Sequence, residues 1–168
     1  MKDKSLLEIG TGTGIVALFS ALNGANVSAT DINCDAIKNA EYNFKKHEVK
    51  VKTYCGDTYN PVPIDIKYDF IFWNHPFNKG DDPDEEVLLK AGFDFEYKSL
   101  KKYISEAKRH LKPDGRLLLG TGNHALITEI NNIADRNGYK LKLLEKAEFP
   151  ISDGSKISND YRIYEFIK

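Results

Sequence analysis

Cysteine is scarce in this chain. Cys34 and Cys55 are the only two among 168 residues, and they form no CxxC pair. Neither stands at metal-ligand spacing from His47, His110 or His124, so no metal site is implied. Both thiols are expected to be reduced, as in a cytoplasmic protein. No apolar run approaches the roughly 20 residues of a membrane span. The opening Met1-Lys2-Asp3-Lys4 lacks the apolar core of a secretory leader. Secretion and a membrane partner are therefore excluded as first readings, and a cytoplasmic location is expected. An excess of one charge is missing too: 24 Lys and Arg face 25 Asp and Glu, a net charge of -1. That does not indicate a strongly basic nucleic-acid binder, so nucleic acid is the less favoured partner. Repeats, low-complexity segments and domain boundaries are also missing.

What is present is an ordinary globular balance, 41% hydrophobic and 29% charged. A chain of this length buries about 70% of its unfolded surface, enough for one domain over residues 1–168 without staples. Strand and helix patterns alternate along it. Ser5 to Ile9 reads as a short buried strand entering Gly10-Thr11-Gly12-Thr13-Gly14, and Ile15 to Leu22 as a helix buried nearly all round. Val27 to Thr30 is a second strand, ending at Asp31. Asn33 is placed to cap a helix running to about Lys45, with Ala36, Ile37, Ala40 and Phe44 on one face. Val49 to Tyr54 and Tyr68 to Trp73 are the third and fourth strands. Tyr97, Leu100, Ile104, Ala107 and Leu111 share a helical face that stops at Pro113-Asp114-Gly115. Arg116 to Gly120 is a fifth strand, followed by a helix from about His124 to Arg136. Tyr139 to Ala147 and Asp160 to Ile167 are two late strands joined by a turn-rich link. Five strand–helix alternations predict a doubly wound, mostly parallel α/β sheet of seven strands, with an antiparallel hairpin at the C-terminal edge.

In such a sheet, ligands bind beyond the carboxyl ends of the strands. The residues that follow the first four strands are the glycine loop, Asp31, Gly56-Asp57 and Asn74-His75-Pro76-Phe77. Glycines let a ligand approach the backbone, and a helix N-terminus offers unpaired N–H groups. An acid about 20 residues after such a loop suits the two hydroxyls of a ribose. Each feature also has a plain structural alternative: a packing turn for the loop, a helix cap for Asp31, a turn aspartate for Asp57 and an X-Pro bend for the tetrapeptide. Tyr42, Tyr54, Tyr103 and Trp73 are expected in the core. Lys98, Lys101, Lys102, Lys108 and Arg109 are expected on a solvated helix face.

Taken together, these features resemble the class I S-adenosylmethionine-dependent methyltransferases. Glu8 to Gly14 looks like that family's first motif, Asp31 its ribose acid and Gly56-Asp57 its adenine-contacting acid. Leu111-Lys112-Pro113-Asp114-Gly115-Arg116 is similar to its "LKPGG" turn. The resemblance implies a Rossmann-like methyltransferase fold and S-adenosylmethionine bound by Glu8, Gly10, Thr11, Gly12, Gly14, Asp31, Ile32, Asp57, Thr58 and Asn74. Asn74-His75-Pro76-Phe77 resembles the NPPY/NPPF motif of enzymes that methylate an amide or amino nitrogen on an sp² carbon. It implies catalytic roles for Asn74, His75, Pro76 and Phe77. His75 departs from the pattern by replacing a proline. A backbone carbonyl acceptor survives that change, and an imidazole base stays open beside it.

Two subfamilies fit. Ala91-Gly92-Phe93-Asp94 and Leu117 to Gly122 resemble HemK-type protein-glutamine methyltransferases, whereas Phe77 and Gly80 resemble ribosomal-RNA base-amino methyltransferases. The near-neutral charge and the acidic run from Asp81 to Glu86 lean toward a protein or small-molecule acceptor. The start near the first strand leaves room for a partner protein or an N-terminal substrate domain to supply specificity. An NAD-dependent oxidoreductase is disfavoured by the GxGxG spacing. A non-catalytic cofactor-binding subunit remains a reading of a different class.

Overall fold

The computed structural model describes residues 1–76, 79, 92–150 and 158–168. Seven strands form one sheet in the order β3-β2-β1-β4-β5-β7-β6. They are β1 (Ser5–Ile9), β2 (Asn26–Asp31), β3 (Val51–Cys55), β4 (Tyr68–Asn74), β5 (Leu111–Gly122), β6 (Lys140–Pro150) and β7 (Ser158–Ile167). Strands β1 to β5 pair in parallel, and β7 joins β5 and β6 antiparallel. The doubly wound sheet with an antiparallel C-terminal edge is therefore as expected. Among the described residues the helices are α1 (Ile15–Leu22), α2 (Cys34–Lys46), α3 (Lys98–Glu106) and α4 (Ile127–Arg136).

The strand period of two divides the core between the two faces. Leu6 on β1 packs with Val27, Ala29 and residues of α1 and α2, including Leu18, Ala40 and Phe44. Leu7 and Ile9 turn to the other face, with Ile71, Trp73, Leu117 and Leu119, under Leu100, Tyr103 and Ile104 of α3 and Ile130 and Ile133 of α4. Asn33 caps α2 by accepting Asp35 N–H at 2.9 Å. Ile37, Ala40 and Phe44 are buried as their spacing predicts.

Several expectations need correction. Helix α1 is not buried all round: Ile15, Phe19 and Leu22 are more than half exposed, because only its Ala17–Leu18 side meets the sheet. Tyr42 stands outward on α2 and is exposed, whereas Tyr103 and Trp73 lie in the core. The five strand–helix alternations become four, because the β3–β4 connection holds no helix. Pro61 and Pro63 lack the N–H groups a helix there would need, and Tyr59 and Val62 pack into the core instead. The Tyr59 hydroxyl donates to Tyr103 O at 2.9 Å. Leu111 belongs to β5 rather than to α3. The helix tightens to a 3-10 turn over Ala107–Arg109, and Tyr68 N–H then takes His110 O at 2.8 Å, which draws the chain into the sheet.

The cysteines also depart from expectation: Cys34 and Cys55 are joined by a disulfide. Sheet register is the reason. Asp31 pairs with Cys55 across β2 and β3, and Cys34 opens α2 just beyond, so the two Cα atoms stand 5.2 Å apart. At a sequence separation of 21, the bond limits the unfolded ensemble by about 3 kcal/mol on a chain-entropy account. No described helix is long and apolar enough to cross a membrane.

Candidate active site

The chain winds outward from β1 to β3 on one side and restarts at β4 on the other. Open α/β sheets bind ligands at such a switch. Ile9 pairs with Trp73, so the glycine loop and Asn74 leave neighbouring strand ends together.

The loop's conformation is set by its glycines. Gly10, Gly12 and Gly14 have φ of +61°, +55° and +83°, where a side chain is strained. A Cβ on Gly10 would meet Trp73 Nε1 at 2.7 Å, and one on Gly14 would meet the Phe44 ring at 2.6 Å. Gly12 differs: nothing lies within 4 Å of its Cβ position. The backbone there faces open space that a ligand can fill.

Glu8 braces this loop from beneath. It is buried, and its Oε2 accepts the Thr11 hydroxyl at 2.7 Å and Ala17 N–H at 2.9 Å. Burial pushes its carboxyl up to about 7, against those two hydrogen bonds and with help from the Asp31 charge. The folded value exceeds the ordinary 4.5. The protonated form therefore favours folding, and its contribution, complete below pH 4.5, is lost as pH rises through about 7. Glu8→Gln keeps the acceptor and removes the titration. Its stability at pH 8 relative to pH 5 should exceed that of the parent by about 3 kcal/mol. Denaturant midpoints at the two pH values check this, and identical pH slopes would refute it.

Asp31 closes the loop from the side. Its Oδ2 accepts Gly12 N–H at 2.8 Å and its Oδ1 accepts Asn33 N–H at 2.9 Å. A carboxylate oxygen can take a second donor, so the half-buried group can still receive a diol. The neighbouring Ile32 is 48% exposed, an apolar side chain beside that carboxylate. Gly56 N–H donates to Asp31 O at 2.8 Å, which draws Asp57 toward the same edge. Asp57 is more occupied than its sequence position suggests. Thr58 Oγ1 donates to its Oδ1 at 2.8 Å and Lys102 Nζ to its Oδ2 at 2.6 Å. Lys102 also reaches Asn60 Oδ1 at 2.8 Å, so it is not the purely solvated lysine its helix pattern predicts. The Thr58 side chain is buried.

Asn74 ends β4 with its side chain exposed. Gly120 on β5 makes room for it, since a Cβ there would stand 3.0 Å from Asn74 Oδ1. His75 N–H donates to Gly120 O at 2.9 Å. The His75 side chain turns inward and is buried. Its Nε2 lies 3.3 Å from Asp94 Oδ2, and its ring meets Trp73 edge-on at 4.9 Å. Burial pulls the imidazole below its ordinary value despite the Asp94 carboxylate, so it is neutral near pH 7. Pro76 follows, half-buried. Phe77, Gly80, the acidic run from 81 to 86 and Ala91 lie outside the described residues. From the sequence, Asp94 enters only within the resembling run Ala91-Gly92-Phe93-Asp94, with no role of its own. It receives N–H groups five and six residues ahead, from Ser99 and Leu100, a spacing no capping pattern announces.

Comparison with known proteins agrees with this geometry. The profile of the family described as methyltransferase small domain matches residues 1–151. A Methanocaldococcus jannaschii protein, provisionally named a protein N5-glutamine methyltransferase, is 27% identical over 159 residues, covering 91% of this chain and 79% of its own length. The ribosomal protein uL3 glutamine methyltransferase of Burkholderia pseudomallei is 35% identical over an alignment of 138 residues that covers 71% of this chain and 45% of that one. The chain thus spans under half of that relative. Among solved structures, a T. thermophilus 16S rRNA N2 G1207 methyltransferase in complex with AdoMet and guanosine shares the fold. Its TM-score is 0.68 at 16% identity, over 100% of this chain and 38% of that chain. With its loop, acids and strand-end asparagine gathered at one switch point, the chain belongs to the methyltransferase small domain family and is a methyltransferase.

Proposed function

We propose that the chain transfers the methyl group of S-adenosylmethionine to the amide nitrogen of a glutamine side chain in a protein. The observation that carries this reading is Asn74, exposed at the end of β4 beside the glycine loop, with the His75 side chain buried away from it. The residues present suit the cofactor. Gly12 leaves open space at the backbone, Asp31 keeps acceptor capacity for the ribose hydroxyls, and Ile32 offers an apolar surface to the adenine. Glu8 acts as the brace that holds the loop. When bound, the cofactor supplies an electrophilic sulfonium methyl group.

An amide nitrogen is a poor nucleophile because its lone pair is delocalised. Asn74 Oδ1 and the His75 carbonyl accept its two N–H groups, which orients the lone pair at the methyl carbon and favours the positive charge that develops. With the cofactor held by the glycine loop and Asp31, its methyl would pass to that nitrogen as its bond to sulfur is given up, and the proton the nitrogen sheds would go to water. A neutral, buried His75 imidazole is not placed to take that proton.

The test is transfer of labelled methyl from S-adenosylmethionine to recombinant ribosomal protein uL3, a release factor and ribosomal RNA in parallel. N5-methylglutamine in the protein hydrolysate is the expected result. Label in an RNA base would favour the base-amino reading, and label in no acceptor would favour a cofactor-binding subunit.

A further inference from the structure

The sequence places a histidine where the resembling motif has a proline, and the structure shows what that histidine touches. A proline restricts the backbone through its ring. The His75 side chain is fully buried and Asp94 nearly so, at 0% and 3% exposure. His75 Nε2 faces Asp94 Oδ2 at 3.3 Å. Among the described residues, His75 Nδ1 has no hydrogen-bond partner. This pattern fits the neutral tautomer that donates from Nε2, since an unpaired lone pair at Nδ1 costs less than an unpaired N–H. Asp94 is itself held fast: its Oδ1 accepts Ser99 N–H and its Oδ2 accepts Leu100 N–H, both at 2.9 Å. Burial alone would raise its carboxyl, but the bonds from His75, Ser99 and Leu100 together keep it below the usual range and ionised. Trp73 and Tyr97 wall the imidazole at 4.9 and 5.4 Å. The strand end that carries Asn74 is thus pinned through His75 and Asp94 to the start of α3.

We propose that Asp94 is a positioning residue for methyl transfer: its carboxylate grips the His75 imidazole and so fixes the His75 carbonyl and Asn74 where they hold the acceptor nitrogen. This rests on the methyl-transfer reading above. Asp94 touches neither acceptor nor cofactor and acts only through His75. A buried hydrogen bond here does the restraining work of a proline ring. Because the grip is through Nε2, the chemistry of a substitute matters. A glutamine amide nitrogen reaches about where Nε2 stands, whereas an asparagine amide nitrogen falls nearer Nδ1.

The test combines kinetics with backbone amide exchange on the full chain. Asp94→Ala and His75→Asn should each lower kcat about 10- to 100-fold, as a displaced acceptor site would. The KM for S-adenosylmethionine should stay within about threefold, because the glycine loop and Asp31, which would hold the ribose, follow other strands and keep their mutual bond. Exchange at Asn74 and His75 should quicken about tenfold or more as the loop loosens. His75→Gln should recover most of the kcat and of the exchange protection that His75→Asn loses, and adding Asp94→Ala to His75→Asn should cost under about threefold more, because the two act as one unit. His75→Asn leaves the Asp94 bonds to α3 in place, so it separates the grip from helix capping. The proposal is overturned if Asp94→Ala quickens exchange in α3 alone, if its effect adds in full to His75→Asn, or if His75→Gln is as damaged as His75→Asn. If the parent methylates neither protein nor RNA, the functional reading falls, and the exchange data alone decide whether the Asp94 grip exists.

Discussion

Asn74→Ala is expected to lower the rate of methyl transfer about 100-fold or more, the usual cost of removing one preorganised polar contact at a reacting centre. Asn74 ends β4 with its side chain exposed, so the substitution opens no cavity and should alter stability by less than about 0.5 kcal/mol. Gly120 already leaves space around Asn74 Oδ1, and nothing would collapse into it. Cofactor affinity should stay within about threefold, because Gly12 and Asp31 keep their mutual contact at 2.8 Å. Single-turnover kinetics with a protein acceptor, alongside calorimetry with S-adenosylhomocysteine, separate the two effects. A variant that turns over at the parental rate would remove Asn74 from the mechanism. One that loses cofactor binding as steeply as rate would make Asn74 a cofactor ligand first.

Asp31→Ala should weaken S-adenosylhomocysteine binding by about 100-fold or more. Two charge-assisted bonds to a ribose diol contribute about 1.5–3 kcal/mol each, and each 1.4 kcal/mol is about tenfold in affinity. The structure adds a second reason. Asp31 is also the acceptor for Gly12 N–H and Asn33 N–H, so its loss frees the loop and the start of α2 together. Asp31→Asn retains one carbonyl acceptor and should lose about tenfold. Calorimetry on the three proteins orders them, and equal affinity for all would place the cofactor elsewhere. The same alanine substitution should also ease the protonation bias of Glu8, since the Asp31 charge helps raise that carboxyl.

The sequence by itself determined the order of the elements, the two faces of α2 and which residues end the first four strands. Those are local matters: period, capping side chains and turn residues act over a few positions. The same locality explains the errors. Leu111 fits the helical face of Tyr97 to Ala107 by spacing, but the Tyr68–His110 bond assigns it to β5. Ile15, Phe19 and Leu22 carry the composition of a buried helix, yet burial depends on what packs outside α1, which spacing does not encode.

The site shows the same division. That Gly10, Gly12, Gly14, Asp31 and Asn74 gather at one end of the sheet was legible because a parallel sheet forces strand ends together at a switch point. Only the tertiary structure decided the partners. Glu8 and Asp31 share their oxygens with the glycine loop, Asp57 is held by Lys102 and Thr58, and the His75 imidazole faces Asp94 rather than an acceptor. The disulfide belongs with these. Cys34 and Cys55 stand 21 residues apart with no signal between them, and the pairing of β2 with β3 brings their Cα atoms to 5.2 Å. Contacts between distant residues arise from how layers stack and strands register, and a residue pattern that repeats every two or four positions carries no record of them.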